Sequence, residues 1–230
     1  MRIALIADLH GNWPATQRLE KDLRIQGADR IICLGDVVGK GPCGHQTLDW
    51  AMANCDMILG GNWDYGLGCK RFPMDVFYWE QLGESRLEIL RNLPREHCLT
   101  LGGRRVRLFH GRPVMEDLIT VRHKKELIQP FFEDGEGGLF DVVGYADTHR
   151  QALRTMTPGL FFNCGSVGNA LGETRCCYVL MEGKGAGDFE IRFRSLDYDR
   201  RQAVEDAQKT PGIPLIHTYI HEIETGVYSR

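Results

Sequence analysis

The chain opens on a short run, Arg2 to Ala7 (RIALIA), that is apolar after Arg2 and has no polar face. Such a run reads as a strand covered on both sides. In the next stretch, GNWPATQRLEKDLRIQG, the apolar positions recur at helical spacing. Ala15, Leu19 and Leu23 share a face, Asn12 is placed to cap, Pro14 suits a first turn and Gly27 suits the stop. A second strand-like run, RIICLG, follows, then a helical HQTLDWAMAN and a strand-like DMILGG. Strand and helix alternating in this way mark the first half as α/β.

The stretch from Phe72 to Leu93 reads helical, and RRVRLFHG alternates before turning apolar, as a strand entering a core does. A short helical segment around Lys124 to Ile128 is broken by Pro130, and the acidic glycine loop EDGEGG precedes the apolar DVVGY. Beyond Gly159 the runs LFFNCG, TRCCYVLME and FEIRFRSLD read as strands, followed by two short helical candidates. No repeat, low-complexity tract or linker interrupts the chain, so one domain over residues 1–230 is expected.

Composition leaves this picture unchanged: hydrophobic residues make up 43% and charged residues 26%, the balance of an ordinary soluble protein. The net charge is -3, and the basic clusters (Arg104, Arg105 and Arg107; Arg122, Lys124 and Lys125) are short and interrupted. They read as solvated faces, and nucleic acid is not the expected partner. No apolar run approaches the ~20 residues of a membrane span. An acid at Asp8 comes too early for a signal peptide, so the expectation is a cytoplasmic protein with no membrane partner. The 8 cysteines are scattered, with Cys176 and Cys177 adjacent and no C-x-x-C spacing, which predicts free thiols and no structural zinc.

The chemistry lies at the ends of the strand-like runs. They close on Asp8-Leu9-His10, Gly35-Asp36, Gly61-Asn62, His110-Gly111 and Asp147-Thr148-His149. In an α/β sheet the crevice lies off the carboxyl ends of the strands, so residues far apart in sequence can converge there. Asp, His and Asn together offer oxygen and nitrogen donors, a mixture suited to divalent manganese, iron or zinc.

The ordered segments DLHGNWPA, GDVVGKGP, GNWD, FHGRP, YADTHRQ and NCGS cover residues 1 to about 182. Together they resemble the calcineurin-like metallophosphoesterases, in particular the small bacterial and archaeal branch of YfcE-type phosphodiesterases and diadenosine tetraphosphatases. The fold this implies is two mixed β-sheets packed as a sandwich flanked by helices, a four-layer α/β/β/α arrangement. The resemblance further implies two divalent metals, manganese or iron foremost and magnesium or zinc as alternatives. Asp8, His10 and His149 would hold the first, Asp36 would bridge both, and Asn62 and His110 would hold the second. Asp147 stands where the family carries a histidine ligand. One intervening residue would bring it to the same side as His149 by strand alternation, and a third acid would harden the site.

By the same resemblance the reaction is hydrolysis of a phosphodiester, phosphomonoester or nucleotide polyphosphate by metal-held hydroxide, with Asp36 and Asn62 in catalytic positions. Trp63 stands where many relatives carry a proton-donating histidine, leaving Asp64, His45 or metal-bound water as substitutes. Asn12, Lys40 and Arg112 are the expected phosphate contacts. The competing class is a protein-binding scaffold, as in the phosphoesterase-like subunit of retromer; a third is nucleotide binding without turnover. Phe72, Phe77, Tyr78 and Trp79 offer either base stacking or core, with core favoured by composition. His217 and His221 read as a surface pair, and Asn163-Cys164-Gly165-Ser166 as a structural turn in preference to a catalytic thiol.

Overall fold

The computed structural model describes residues 1–185 and 187–229. The first half runs β1 (Arg2–Ile6), α1 (Trp13–Gln26), β2 (Arg30–Cys33), α2 (Gly44–Asn54), β3 (Met57–Ile58), α3 (Asn62–Gly68) and α4 (Val76–Arg91). There follow β4 (Glu96–Leu101), β5 (Arg104–Phe109), α5 (Lys125–Ile128), β6 (Val142–Tyr145), β7 (Ala152–Thr155) and β8 (Leu160–Asn163). The chain ends with β9 (Cys176–Lys184), β10 (Asp188–Leu196), α6 (Arg200–Lys209) and α7 (Ile216–Thr225).

Among the described residues the strands form two mixed five-stranded sheets, ordered β10-β9-β1-β2-β3 and β4-β5-β6-β8-β7. In the first, β1, β2 and β3 are parallel and β9 and β10 antiparallel. In the second, β5, β6 and β8 are parallel while β4 and β7 pair antiparallel at the edges.

Successive side chains of β1 take opposite faces, as a strand's period of two requires. Ile3 and Leu5 enter the core between the sheets with Val106, Leu108, Val142 and Phe162. Ala4 and Ile6 enter the layer against the helices with Leu19, Leu48 and Leu67. The run therefore needed apolar residues at every position. The outer face of the second sheet is covered differently: Phe109, Val143, Tyr145 and Phe161 pack under Ile128 and Phe132, from a segment whose one α-helix spans 4 residues.

The ends of α1 behave as its sequence implies. Asn12 Oδ1 accepts from the Ala15 amide at 3.1 Å, and Gly27 takes φ 61° to close the helix. The helix after Phe72 starts only at Val76, behind a 3-10 turn at Pro73–Asp75, and Gly83 interrupts it with φ 71°. Strands β4 and β7 were not expected from the pattern. The β4–β5 hairpin turns through Gly102 and Gly103, both at positive φ (57° and 78°), as a tight hairpin favours. No described helix is long and apolar enough to cross a membrane, and all 8 cysteines are unpaired.

Candidate metal centre

The parallel strands β1, β2, β5 and β6 release their chains at one end of the sandwich, and the loops there are laced together by backbone bonds. The Asp8 amide donates to Gly35 O at 2.9 Å, His10 to Asp36 O at 3.1 Å and Ala146 to His110 O. Asp8, His10, Asp36, Lys40, Asp147 and His149 all take positive φ, between 46° and 65°. Non-glycine residues adopt that region at a cost of order 1–3 kcal/mol, and such residues cluster at functional sites.

The result is two groups of buried donors, Asp8 with His10 and His149, and Asp8 with Asp36 and His110, each with its ligand atoms within 4.8 Å of one another. His149 Nε2 lies 3.6 Å from Asp8 Oδ1, and His110 Nε2 lies 3.3 Å from Asp36 Oδ2, which is also 3.6 Å from His10 Nε2. Each imidazole is anchored through its other nitrogen to a backbone carbonyl: His10 Nδ1 to Val38 O at 3.2 Å, His110 to Leu34 O at 2.9 Å and His149 to Asn169 O at 2.6 Å. A carbonyl only accepts, so Nδ1 carries a proton and Nε2 is the nitrogen turned to the centre. His10 Nε2 and His149 Nε2 face each other at 3.2 Å. Two lone pairs at that distance repel, and a shared cation resolves the conflict. Asp8 Oδ1 and Oδ2, Asn62 Oδ1 and His110 Nε2 are buried without a hydrogen-bond partner. Orphaned acceptors of this kind fit divalent metals.

The electrostatics separate the two histidines: His149 is neutral, whereas His110 holds a proton against the carboxylates that a bound cation would have to displace. Burial raises the Asp8 carboxyl well above its ordinary value, with His110 opposing and Asp36 adding to the rise. Burial pulls His110 down, but the carboxylates of Asp36 and Asp8 outweigh it and lift the imidazole to about 10. His149 is driven the other way, by burial first and the charge of Lys40 second, which keeps its imidazole neutral and its lone pair available.

Residues 1–185 match the calcineurin-like phosphoesterase superfamily domain. The chain belongs to this superfamily. It is 28% identical over 239 residues to the uncharacterized protein MJ0912 of Methanocaldococcus jannaschii, spanning 90% of this chain and 92% of that one. Its fold is similar to that of a metallophosphoesterase from Sphaerobacter thermophilus, with a TM-score of 0.77, 20% identity and 99% of both chains covered. It is also similar to the phosphoesterase YfcE of E. coli, with a TM-score of 0.53 and 20% identity over 86% of this chain and 100% of that one. At such identities the two structural likenesses bear on the fold alone.

Several residues singled out for the family's chemistry have other work here. Asp147 is in neither donor group. Its Oδ2 accepts from Arg112 Nε at 2.8 Å and from the Arg112 amide at 3.0 Å, and its Oδ1 from Arg112 Nη2 at 2.7 Å. Burial alone would raise the Asp147 carboxyl, but the Arg112 bonds prevail and hold it below the usual value. Its charge is thus matched by Arg112. Strand alternation does not bring Asp147 and His149 together either, because β6 ends at Tyr145 and both residues sit in a bend at φ 65° and 57°.

Asp64 is fully buried, and both its oxygens accept backbone N–H groups: Asp36 at 2.7 Å and Gly61 at 3.0 Å on Oδ2, Val37 at 3.0 Å and Val38 at 3.4 Å on Oδ1. It clamps the Asp36 loop to the start of α3, and burial first and the charge of Asp36 second raise its carboxyl to about 7. Gly61 is required beside it, since a Cβ there would lie 2.1 Å from Asp36 Oδ1. Asn12, besides capping α1, donates to Gly168 O at 2.8 Å and to the Tyr198 hydroxyl at 3.1 Å, and these ties leave it no free phosphate-binding atom.

Lys40 and Arg112 do reach the site. They line a cavity of about 440 Å³ with Asp36, Asn62, Trp63 and His149. Lys40 is 5% exposed; its Nζ donates to Asn169 Oδ1 at 2.6 Å and lies 3.7 Å from Glu222 Oε2. Trp63 holds Asp36 Oδ1 through its backbone amide at 2.8 Å and stands edge-on to His10, with ring centroids 5.9 Å apart. His45 lies on α2 and is not among the residues lining this cavity. The Asn163–Ser166 turn is structural: Ser166 Oγ donates to Asp8 O at 2.9 Å, and Cys164 is buried with its thiol pushed up by burial. His217 and His221 are exposed on α7.

Asn169, and the pairing of Glu222 with Lys40, escaped the sequence reading. Asn169 orients both His149 and Lys40, and its only sequence signal is its place in a glycine-rich turn three residues after Ser166. Glu222 comes from α7, which lies beyond the family domain, and nothing local marks it as the counter-charge of Lys40.

Proposed function

We propose that the protein hydrolyses phosphate esters at a pair of divalent cations, with a small phosphodiester, phosphomonoester or nucleotide polyphosphate as substrate. The observation that supports this reading is the pair of buried donor groups sharing Asp8, with orphaned ligand atoms beside a cavity that carries Lys40 and Arg112. Asp8, His10 and His149 would hold one cation and Asp36, Asn62 and His110 the other. Asp8 belongs to both groups, and Asp36 Oδ2 lies within 3.6 Å of both His10 and His110, so either carboxylate can bridge. The mixed oxygen and nitrogen set suits manganese or iron, with zinc or magnesium as alternatives. Bound there, such cations supply Lewis acidity to phosphoryl oxygens and to a water nucleophile.

The chain's own residues do the rest. Carbonyl tethers on each Nδ1 fix the imidazoles before any ligand arrives. Lys40 and Arg112 offer cationic donors to the phosphate, Lys40 as a point charge backed by Glu222 and Arg112 as a fork held in place by Asp147. Trp63 brings no titratable proton, so substrates whose leaving group departs without protonation are favoured.

A scaffold without metals accounts less well for the centre. Each buried polar atom without a partner costs about 1–3 kcal/mol, and a protein-binding role gives no return for that cost. The test is hydrolysis of bis(p-nitrophenyl) phosphate by metal-stripped protein with manganese restored, beside Asp36→Asn. Manganese-dependent turnover lost in the variant is the expected result. Turnover indifferent to manganese or to the substitution would overturn the reading.

A further inference from the structure

A second cavity, of about 260 Å³, adjoins the metal centre between the segment after α3 and the start of α7. Asn62 and Trp63 line both cavities, so the two share that pair as a common wall. The remaining wall is mostly apolar, including Leu67, Phe72, Met74 and Leu215. Phe72, Met74 and Leu215 are 52%, 57% and 51% exposed. Single exposed apolar residues are ordinary on a surface, but three large ones around one cavity mark a binding site.

Two further observations point the same way. Leu215 takes φ 54°, a left-handed conformation a leucine seldom adopts, and gains no burial from it. Of the described non-glycine residues at positive φ, all but Leu215 and Lys70 belong to the metal centre or its cavity, so the strain follows the two cavities. Among the aromatics of 72–79, Tyr78 is buried and Phe77 and Trp79 pack on the helical core, leaving Phe72 alone to face the second cavity.

Charge separates the roles. Lys40, Arg112 and Arg150 line the metal cavity beside Asp36 and Asp147, whereas no described lysine or arginine lines the second. An anionic group finds cationic partners in the first and none among the described residues of the second. We infer that the second cavity is a subsite for an uncharged planar aromatic group attached to the phosphorus held at the metal centre. Phe72 and Trp63 supply ring surface, while Met74 and Leu215 supply an adaptable apolar rim. The inference rests on the phosphoesterase reading above and narrows its substrate class to aromatic esters of phosphate.

The test is calorimetric titration of the manganese-loaded full chain with phenylphosphonate and with methylphosphonate, which share the anion and differ in the ring. Phenylphosphonate is expected to bind about tenfold more tightly, from burial of one ring face. In Phe72→Ala and in Leu215→Gly the ratio of the two affinities should fall to within about twofold. The glycine variant keeps the left-handed turn without strain, so its folding is not at risk. Equal affinities in the unaltered protein, or a ratio that survives both substitutions, would overturn the subsite and leave the phosphoesterase reading intact. If neither phosphonate binds, both fall together.

Discussion

Replacing Asp64 by asparagine separates positioning from proton donation. The carboxylate accepts from Asp36 and Gly61 on one oxygen and from Val37 and Val38 on the other, all inside the protein. Asparagine keeps one oxygen and turns an NH2 group toward donors at the other, so two buried amides lose their acceptor. Hydrogen bonds to a charged group are worth about 1.5–3 kcal/mol each, which puts the loss at roughly 3–6 kcal/mol. Removing a buried charge offsets part of this, so the lower end, about 3 kcal/mol, is expected. For a chain of this size that is a fall of at least about 6 °C in melting temperature. Asp36 also loses its clamp, so manganese affinity should drop, and hydrolysis should fall alike for p-nitrophenyl esters and for alkyl esters. Calorimetry and the two rate assays check this. Unchanged melting, with a rate loss confined to the alkyl esters, would refute the reasoning and make Asp64 the acid.

Asp147→Asn is expected to leave manganese stoichiometry unchanged while weakening inorganic phosphate several-fold, because both oxygens serve Arg112 rather than a cation; loss of one ion on elemental analysis would return Asp147 to the ligand set. In the metal-stripped protein, burial lowers the His110 imidazole but Asp36 and Asp8 raise it to about 10, above its ordinary 6.5. A folded value raised in this way contributes stability that is fully present below about pH 6.5 and is lost as pH climbs toward 10. The melting temperature should therefore fall over that window and the fall should be smaller in His110→Gln; identical slopes would contradict the assignment.

Much of the fold was legible because burial on both faces leaves a plain mark. Residues 3–7 and Val142–Tyr145 carry no charged position, and each run did prove to be a buried strand leading into a donor loop. Strand β4 hid because its half-exposed edge mixes Glu96, His97 and Thr100 into the run, and β7 because it is 4 residues long. The structure gathers Asp8, His10, Asp36, His110 and His149 into the donor groups, and strand order alone was enough to single them out. What local reasoning could not supply was which partner each polar group would find. Asp147 meets Arg112 rather than Arg150, across 35 residues, Asn12 bonds Gly168 O and the Tyr198 hydroxyl, and Asp64 spends its hydrogen bonds on backbone groups. Glu222 reaches Lys40 from the last helix. Such pairings are decided by long-range packing, which no spacing rule encodes.

The most direct test of the two-cation centre is manganese bound per chain, by elemental analysis after equilibrium dialysis, in the unaltered protein, His149→Ala and His110→Ala. Each histidine belongs to one donor group only, with Asp8 common to both. The expected result is two ions in the unaltered protein and one in each variant. An unaltered protein that binds none, or two ions retained in both variants, would contradict the centre described.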